Sequence, residues 1–404
     1  MELAIGAIGL TILMGFFGNV LFQRTSIPNT LWLLLFGMIL GALHFIGQEF
    51  ISSIAGVIGA IAVIGILSDG GLHLDLKYVI TEGFRGTVLM IAGFLSALIG
   101  ITLLLSLLGF PFMFSLLVAM ALAGISGSVV IPVITSLPFL SEKIKTMLSV
   151  ESISDTFSMV IAIFLIDYLS TGKVALDGIS TITQGVALEL FSALSIGIIF
   201  GLLWGPFIGK LKKFDYSYAA TLGALFLLFA FSETIGSSGA ISVFAAGVML
   251  ANARTIYKAI FPDGEFERFD EDVSKTHGLF AFLIRVFFFV FLGIVVGIPE
   301  FQYMIIGLLI TGVIILLRYF YVNALMRYNL FSATEKERTL MYWMVPRGLS
   351  AAVLSVFALS AGIPLGHEMV QIVFSVIIFS VLSSTAVVFI LRDKKQIKSK
   401  ATTA

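Results

Sequence analysis

The 404-residue chain contains no cysteine, which removes disulfides, thiol nucleophiles and thiolate metal sites from its chemistry. Charge is scarce: Asp, Glu, Lys and Arg make up 12% of residues, about half the share of a soluble domain. Lys plus Arg and Asp plus Glu number 24 each, so the net charge is zero and nothing in the bulk balance draws nucleic acid or an acidic partner. The four histidines (His44, His73, His277 and His367) lie in separate stretches without metal-ligand spacing. No G-x-S-x-G, H-E-x-x-H or Walker pattern occurs, so nothing indicates an enzyme, a nucleotide-driven pump or a bound cofactor. No polar segment is long enough to fold as a separate soluble domain, and the alternating ten-residue pattern of an outer-membrane barrel is missing.

What the chain has instead is oil. Apolar residues make up 59% and the mean hydropathy is +1.09. Apolar runs of about 20 residues, enough to cross about 30 Å of hydrocarbon as helices, recur from end to end. The pattern predicts an all-α polytopic membrane protein with about thirteen spans, near residues 3–22, 29–47, 52–68, 86–108, 111–135, 147–169, 181–208, 216–233, 237–252, 277–297, 301–324, 340–362 and 367–391. The first run lacks a basic leading segment and a small-residue cleavage site, and is read as a retained span rather than a signal peptide.

Basic residues test the count. Arg24, Lys77, Arg85, Lys143, Lys145, Lys210, Lys212, Lys213, Arg254, Lys258, Arg268, Lys275, Arg327, Lys336, Arg338 and the five in the tail after residue 391 all fall on one side. Lys173 alone falls on the other, and Arg285, Arg318 and Arg347 lie inside spans. The N-terminus is therefore expected outside and the C-terminus in the cytoplasm. The one long polar insert, IYKAIFPDGEFERFDEDVSK from 256 to 275, reads as a surface amphipathic helix or a solvated loop.

An odd count suits two inverted six-helix repeats joined by a linker, a design found in secondary transporters whose sites lie at interrupted helices. The reading is one integrated membrane domain over 1–392, with a first repeat at 1–170, a linker helix within 171–215, a second repeat at 216–392 and a short cytoplasmic tail at 393–404. Each repeat carries a break at its own fifth span. In span 5 the break is ALAGISGSVVIPV, with Gly124, Gly127 and Pro132; in span 12 it is MVPRGLSAAV, with Pro346 and Gly348. Crossed broken helices are expected. Gly197, Gly201, Gly205 and Gly209 line span 7 at four-residue spacing and read as a packing stripe, within the fold or between protomers.

A charge at mid-membrane costs about 2.5–3.5 kcal/mol on insertion scales, so each one calls for a reason. Asp155 lies two turns into span 6, and Glu151 stands one turn earlier on the same face. Asp155 is the candidate carrier: a carboxylate that trades a proton for a hard alkali cation, with Ser152, Ser154, Thr156 and carbonyls freed at the span 5 break completing the cage. Asp69, at the end of span 3, is expected to assist. Glu151 and Arg347 are expected to form a buried pair joining spans 6 and 12, and Arg285 in span 10 to offset helix dipoles or acids near the crossing. Glu233 and Asp167 stand at span ends and read as solvated.

These residues resemble the monovalent cation:proton antiporter superfamily on its sodium/proton exchanger, NhaP-like side, and the likeness runs along the whole chain. NVLFQRTSIPNTLWLLLFGMILG is similar to the family's opening helix pair, and ILSDGGLHLD resembles its F-E-G-G-L element with Asp69 at the acidic position. FSETIGSSGAISVFAAGVMLAN and RVFFFVFLG are similar to later segments, and MVPRGLSAAVLS resembles the G-P-R-G element with Arg347 at the family arginine. The resemblance implies a homodimer, a rocking or elevator-like core, and exchange of sodium or a similar ion for protons.

Two departures bear on the site. The family's E-S-x-x-N-D is one residue shorter here, as ESISD. Aligned from Pro132, Asp155 falls on the carrier and Ser154 on the Asn; aligned on Glu151, Asp155 falls on the Asn and Thr156 on the carrier. The first keeps an acid where exchange needs one. The family's T-D-P becomes ISG or SGS, so Ser126 or Gly127 stands where an acid is usual. That loss brings potassium into range beside sodium and lithium. The expected function is a secondary antiporter in a prokaryotic plasma membrane, surrounded by lipid and serving pH homeostasis. A proton-coupled organic solute carrier or a gated cation channel is the alternative.

Overall fold

A computed structural model describes residues 2–25, 28–43, 48–72, 83–170, 179–211, 217–253, 256 and 271–391. His44, His73, the insert residues 257–270 and the tail lie outside the described residues. Everything regular among the described residues is helix: α1 (Glu2–Thr25), α2 (Asn29–Ala42), α3 (Gln48–Leu72), α4 (Phe84–Leu107), α5 (Phe112–Ala123), α6 (Gly127–Thr135), α7 (Glu142–Glu151), α8 (Ser154–Ser170), α9 (Ile179–Leu211), α10 (Ser217–Thr234), α11 (Gly239–Ala251), α12 (Glu271–Val296), α13 (Phe301–Arg327), α14 (Glu335–Trp343), α15 (Leu349–Ser360) and α16 (Gly366–Leu391).

Helix is the form that satisfies every backbone group within one segment, which hydrocarbon demands. Segments 84–107, 142–167, 279–296, 301–327 and 366–391 are long and apolar enough to cross a membrane. Several present oil outward: Leu95, Ile99, Leu103 and Leu107 on α4, and Ile305, Leu309, Leu316 and Phe320 on α13. Helices apolar on both faces belong in lipid. The protein is a multi-pass helical membrane protein.

With no hydrophobic force between helices in lipid, close approach through small residues holds them together. Gly37 of α2 and Gly293 of α12 meet backbone to backbone, as do Gly71 of α3 and Gly247 of α11. Gly197 and Gly201 of the linker-helix stripe pack on Ser242, Ala245, Ala246 and Met249 of α11, so these two glycines serve contacts within the fold. Helices α2, α3, α9, α11 and α12 thus form one packed group, while α4, α5, α7, α8, α13 and α16 form another. The α15 helix touches α3 and α12 on one side and α16 and α8 on the other.

Span 6 departs from the continuous helix that its sequence suggests. It stops at Glu151 and restarts at Ser154, and the chain crosses the gap on tightened bonds from Ile153 N to Val150 O (3.1 Å) and from Thr156 N to Ile153 O (3.1 Å). Bonds three residues apart are the 3-10 pattern that often marks a working position in a helix. Asp155 sits two residues past this joint.

Candidate cation site at the crossed breaks

Both predicted breaks are present. Between α5 and α6 the chain is extended, with Gly124 at ψ 151° and Ser126 at ψ 108°. Between α14 and α15 residues 344–348 leave the helix. The two breaks meet directly, the Ser126 amide donating to the Pro346 carbonyl at 2.9 Å.

An interrupted helix frees amides that are costly to bury unpaired. Each break meets that need in the same way. At the first, Gly124 N donates to Ser158 Oγ (3.2 Å) and Ile125 N to Ser154 Oγ (3.1 Å). At the second, Val345 N donates to Ser384 Oγ (3.3 Å) and Arg347 N to Ser380 Oγ (3.0 Å). In both, two serines four residues apart on a later helix, α8 for the first break and α16 for the second, hold the loosened segment. Ser158 also donates to Met120 O and Ser384 to Trp343 O, so each hydroxyl bridges a break to the helix before it.

Asp155 lies against the first break. A Cβ on Gly124 would fall 2.5 Å from Asp155 Cα, so only glycine lets the two backbones touch there. Its Oδ2 accepts a 2.8 Å hydrogen bond from Ser350 Oγ, near the start of α15 beyond the second break. Asp155 thus meets the first break through its backbone and the second through its carboxylate. Ser152 turns its hydroxyl to Ser149 O (2.7 Å), and Ser154 caps Ile125 while keeping a lone pair and its own proton. Thr156 faces Gly70, where a Cβ would come within 2.7 Å of its Oγ1; this contact joins α8 to the end of α3, next to Asp69. Ser126 is fully buried at the crossing.

The expected pairing of Glu151 with Arg347 does not occur. Glu151 binds Arg318 of α13 through two bonds, Nη1 to Oε1 at 2.5 Å and Nη2 to Oε2 at 2.8 Å. Tyr321 adds a bond to Oε1 at 3.2 Å, and Arg318 Nε donates to Met341 O. The cause is geometric. Gly93 of α4 leaves room for Glu151 to reach toward α13, where Tyr321 and Arg318 stand one turn apart. Arg347 hangs instead from the second break. Its side chain is buried, and its Nε and Nη1 have no hydrogen-bond partner among the described residues. It still feels the charges of Asp155 and Glu151. Arg285 of α12 feels the charge of Asp69 and is likewise within the packed region. Glu233 caps α11, its Oε1 accepting from Gly239 N at 2.7 Å.

Sequence reasoning passed over Ser350, Ser158, Ser380, Ser384 and Tyr321, and it counted Arg318 without giving it a partner. The spacing of Ser154–Ser158 and Ser380–Ser384 was a legible signal, and an arginine inside an oily span was another. Ser350 carried none, because its meaning depends on what lies across the crossing.

Fold and site together define a class: a helical membrane protein whose two interrupted helices meet beside a carboxylate. The description "Sodium/hydrogen exchanger, transmembrane" matches residues 9–392, and the chain belongs to that family. A relative named "Probable Na(+)/H(+) antiporter 2", from Methanocaldococcus jannaschii, is 25% identical over 299 residues, 69% of this chain and 65% of the relative. The "K(+)/H(+) antiporter NhaP" of Alkalimonas amylolytica is 23% identical over 94% of this chain and 65% of its own length. The chain thus spans slightly under two thirds of these relatives. Its fold matches that of the sodium proton antiporter MjNhaP1 from M. jannaschii at pH 8, with a TM-score of 0.74, 21% identity and coverage of 97% and 98% of the two chains.

Proposed function

We propose that the protein is a secondary antiporter that exchanges a monovalent cation for protons across the plasma membrane, with Asp155 as the shared carrier. The observation that carries this reading is the site of Asp155: an acid at the crossing of two broken helices, contacted by Ser350 from across it and lying against an opened backbone. A carboxylate there holds either a proton or an alkali ion, and hard ions take oxygen ligands. Ser350, Ser152, Ser154, Thr156 and Ser126 supply hydroxyls, and Asp69 lends negative charge near the α3–α8 contact. Because proton and cation compete for one group, and a bare carboxylate is costly to carry through the membrane interior, the site crosses loaded with one or the other, which couples the fluxes.

Inverted repeats account for the matched serine pairs at the two breaks. The basic-residue pattern supports an outside N-terminus and a cytoplasmic C-terminus. The two packed groups of helices suit alternating access in which the crossing group moves against the other, in a homodimer embedded in lipid. Arg347 and Arg285 compensate buried carboxylate charge, while Glu151–Arg318 braces the moving group. Sodium or lithium is the first expectation. Potassium is credible because Ser126, not an acid, fills the first break, and one relative is named a potassium/proton antiporter.

The test is proton flux in proteoliposomes under an imposed pH gradient, with sodium, lithium, potassium or choline added in turn. Collapse of the gradient with an alkali ion but not choline, lost in Asp155→Asn, supports the exchanger. Conductance without proton counterflow would point to a channel. Silence with every ion from folded protein would return the organic-solute carrier.

A further inference from the structure

The leading ends of spans 6 and 12 share one carboxylate. Glu337 is the third residue of α14, and it closes a capping box with Thr334: its Oε2 accepts from Thr334 N at 2.8 Å and from Thr334 Oγ1 at 2.9 Å. A capping box needs only one oxygen of the acid. The other, Oε1, accepts from Ser141 N at 2.8 Å, and Ser141 is the N-cap of α7. One side chain therefore caps two helices 196 residues apart in sequence. It is 4% exposed, so these bonds are shielded from competing water.

What the two helices carry gives the contact its meaning. α7 leads through Glu151 and the joint at 152–153 to Asp155. α14 leads through the second break to Arg347 and to Ser350, which hydrogen-bonds Asp155. Residues of both helices belong to one larger buried apolar cluster, Ile144, Met147 and Leu148 from α7 and Leu340 and Met341 from α14, together with Leu89, Val133, Val322 and Phe331 of neighbouring segments. Apolar packing resists separation but permits sliding and rotation, whereas bonds at fixed amides set register. Both paths to the site are also interrupted, so the Glu337 link adds a constraint outside the breaks to the bonds made within them.

We propose that Glu337 is a positioning residue that locks the leading ends of spans 6 and 12 in register, so that Asp155 and Ser350 travel as one body. This rests on the exchanger reading only for its transport consequence; the mechanical link stands on the contacts themselves.

Three variants separate the link from ordinary helix capping. Ser141→Pro removes the Ser141 N–H while its φ of −67° suits proline, and it leaves the Thr334 cap intact. Thr334→Ala removes the local hydroxyl and leaves the Ser141 link. Glu337→Ala removes both. In proteoliposomes, Ser141→Pro and Glu337→Ala should raise the cation KM about tenfold with the maximal rate within about twofold, while Thr334→Ala keeps KM within about twofold of wild type. Hydrogen exchange read on the same proteins needs no transport. Ser141→Pro and Glu337→Ala should speed exchange about tenfold at residues 142–151 and also at 344–350, and Thr334→Ala only in the first turn of α14. Unchanged exchange at 344–350 in Ser141→Pro, or an equal KM rise in Thr334→Ala, overturns the proposal. If wild type shows no cation-dependent flux, the exchanger reading fails and the exchange pattern alone decides the link.

Discussion

Ser350 donates a 2.8 Å hydrogen bond to Asp155 across the crossing of the two broken helices, joining residues 195 apart in sequence. A serine hydroxyl suits a carrier because it serves both states. It donates to a bare carboxylate, and after rotation it offers a lone pair to a bound cation.

Ser350→Ala should therefore keep the protein folded and raise the apparent KM for the cation by roughly ten- to a hundredfold, the range expected from losing one hydrogen bond to a charged group. Asp155→Asn should abolish cation-dependent proton flux. Ion titrations in proteoliposomes check both, and an unaltered KM in Ser350→Ala would remove it from the site.

Proton and cation should compete on the same side of the membrane. Lowering pH on one face should raise the cation KM there without lowering the rate at saturating cation. A fall in maximal rate at constant KM would mean that the two ligands occupy separate groups.

Glu151 and Arg318 should be worth more as a pair than either is alone. Breaking a buried pair leaves one uncompensated charge and costs about 3–5 kcal/mol, whereas replacing both ions with apolar residues is often neutral. Thermal unfolding in detergent should show Glu151→Leu and Arg318→Met each strongly destabilised and the double variant much nearer wild type. Glu151→Leu with Arg347→Met should show no such rescue, because those two side chains are not bonded partners.

Ser126→Asp restores an acid at the first break, at a helix N-cap position that accepts Asp readily. Preference for sodium over potassium should rise by about threefold or more, since a second carboxylate strengthens the field at the ion. Competition assays with the two ions read this directly.

Glu337 gives an acid-stability prediction with a definite sign. Burial pushes its carboxyl up, but hydrogen bonds from Ser141 and Thr334 outweigh that and hold it below the ordinary glutamate range. A depressed pKa adds stability that is complete above the unfolded value, about 4.3, and is lost as pH falls through the folded value. Below about pH 4.3 the wild-type melting temperature should fall more steeply than that of Glu337→Ala.

The sequence by itself determined that the chain is a bundle of membrane helices, because apolar runs long enough to span hydrocarbon leave the backbone no other form. It also determined where the fifth and twelfth spans break, since Gly124, Gly127, Pro346 and Gly348 mark those positions locally. Asp155 stands out in the sequence because an acid inside an apolar span calls for a reason and its own helix offers no cation to pair with it. Tertiary structure decided the rest. That Glu151 pairs with Arg318 and not Arg347, that Ser350 reaches Asp155, and that Glu337 caps a second helix are facts about residues 167, 195 and 196 positions apart. Composition and periodicity report what a residue needs, such as a partner for a buried charge. Which residue meets that need depends on how helices cross, and the close approaches at Gly93 and Gly124 fix that crossing.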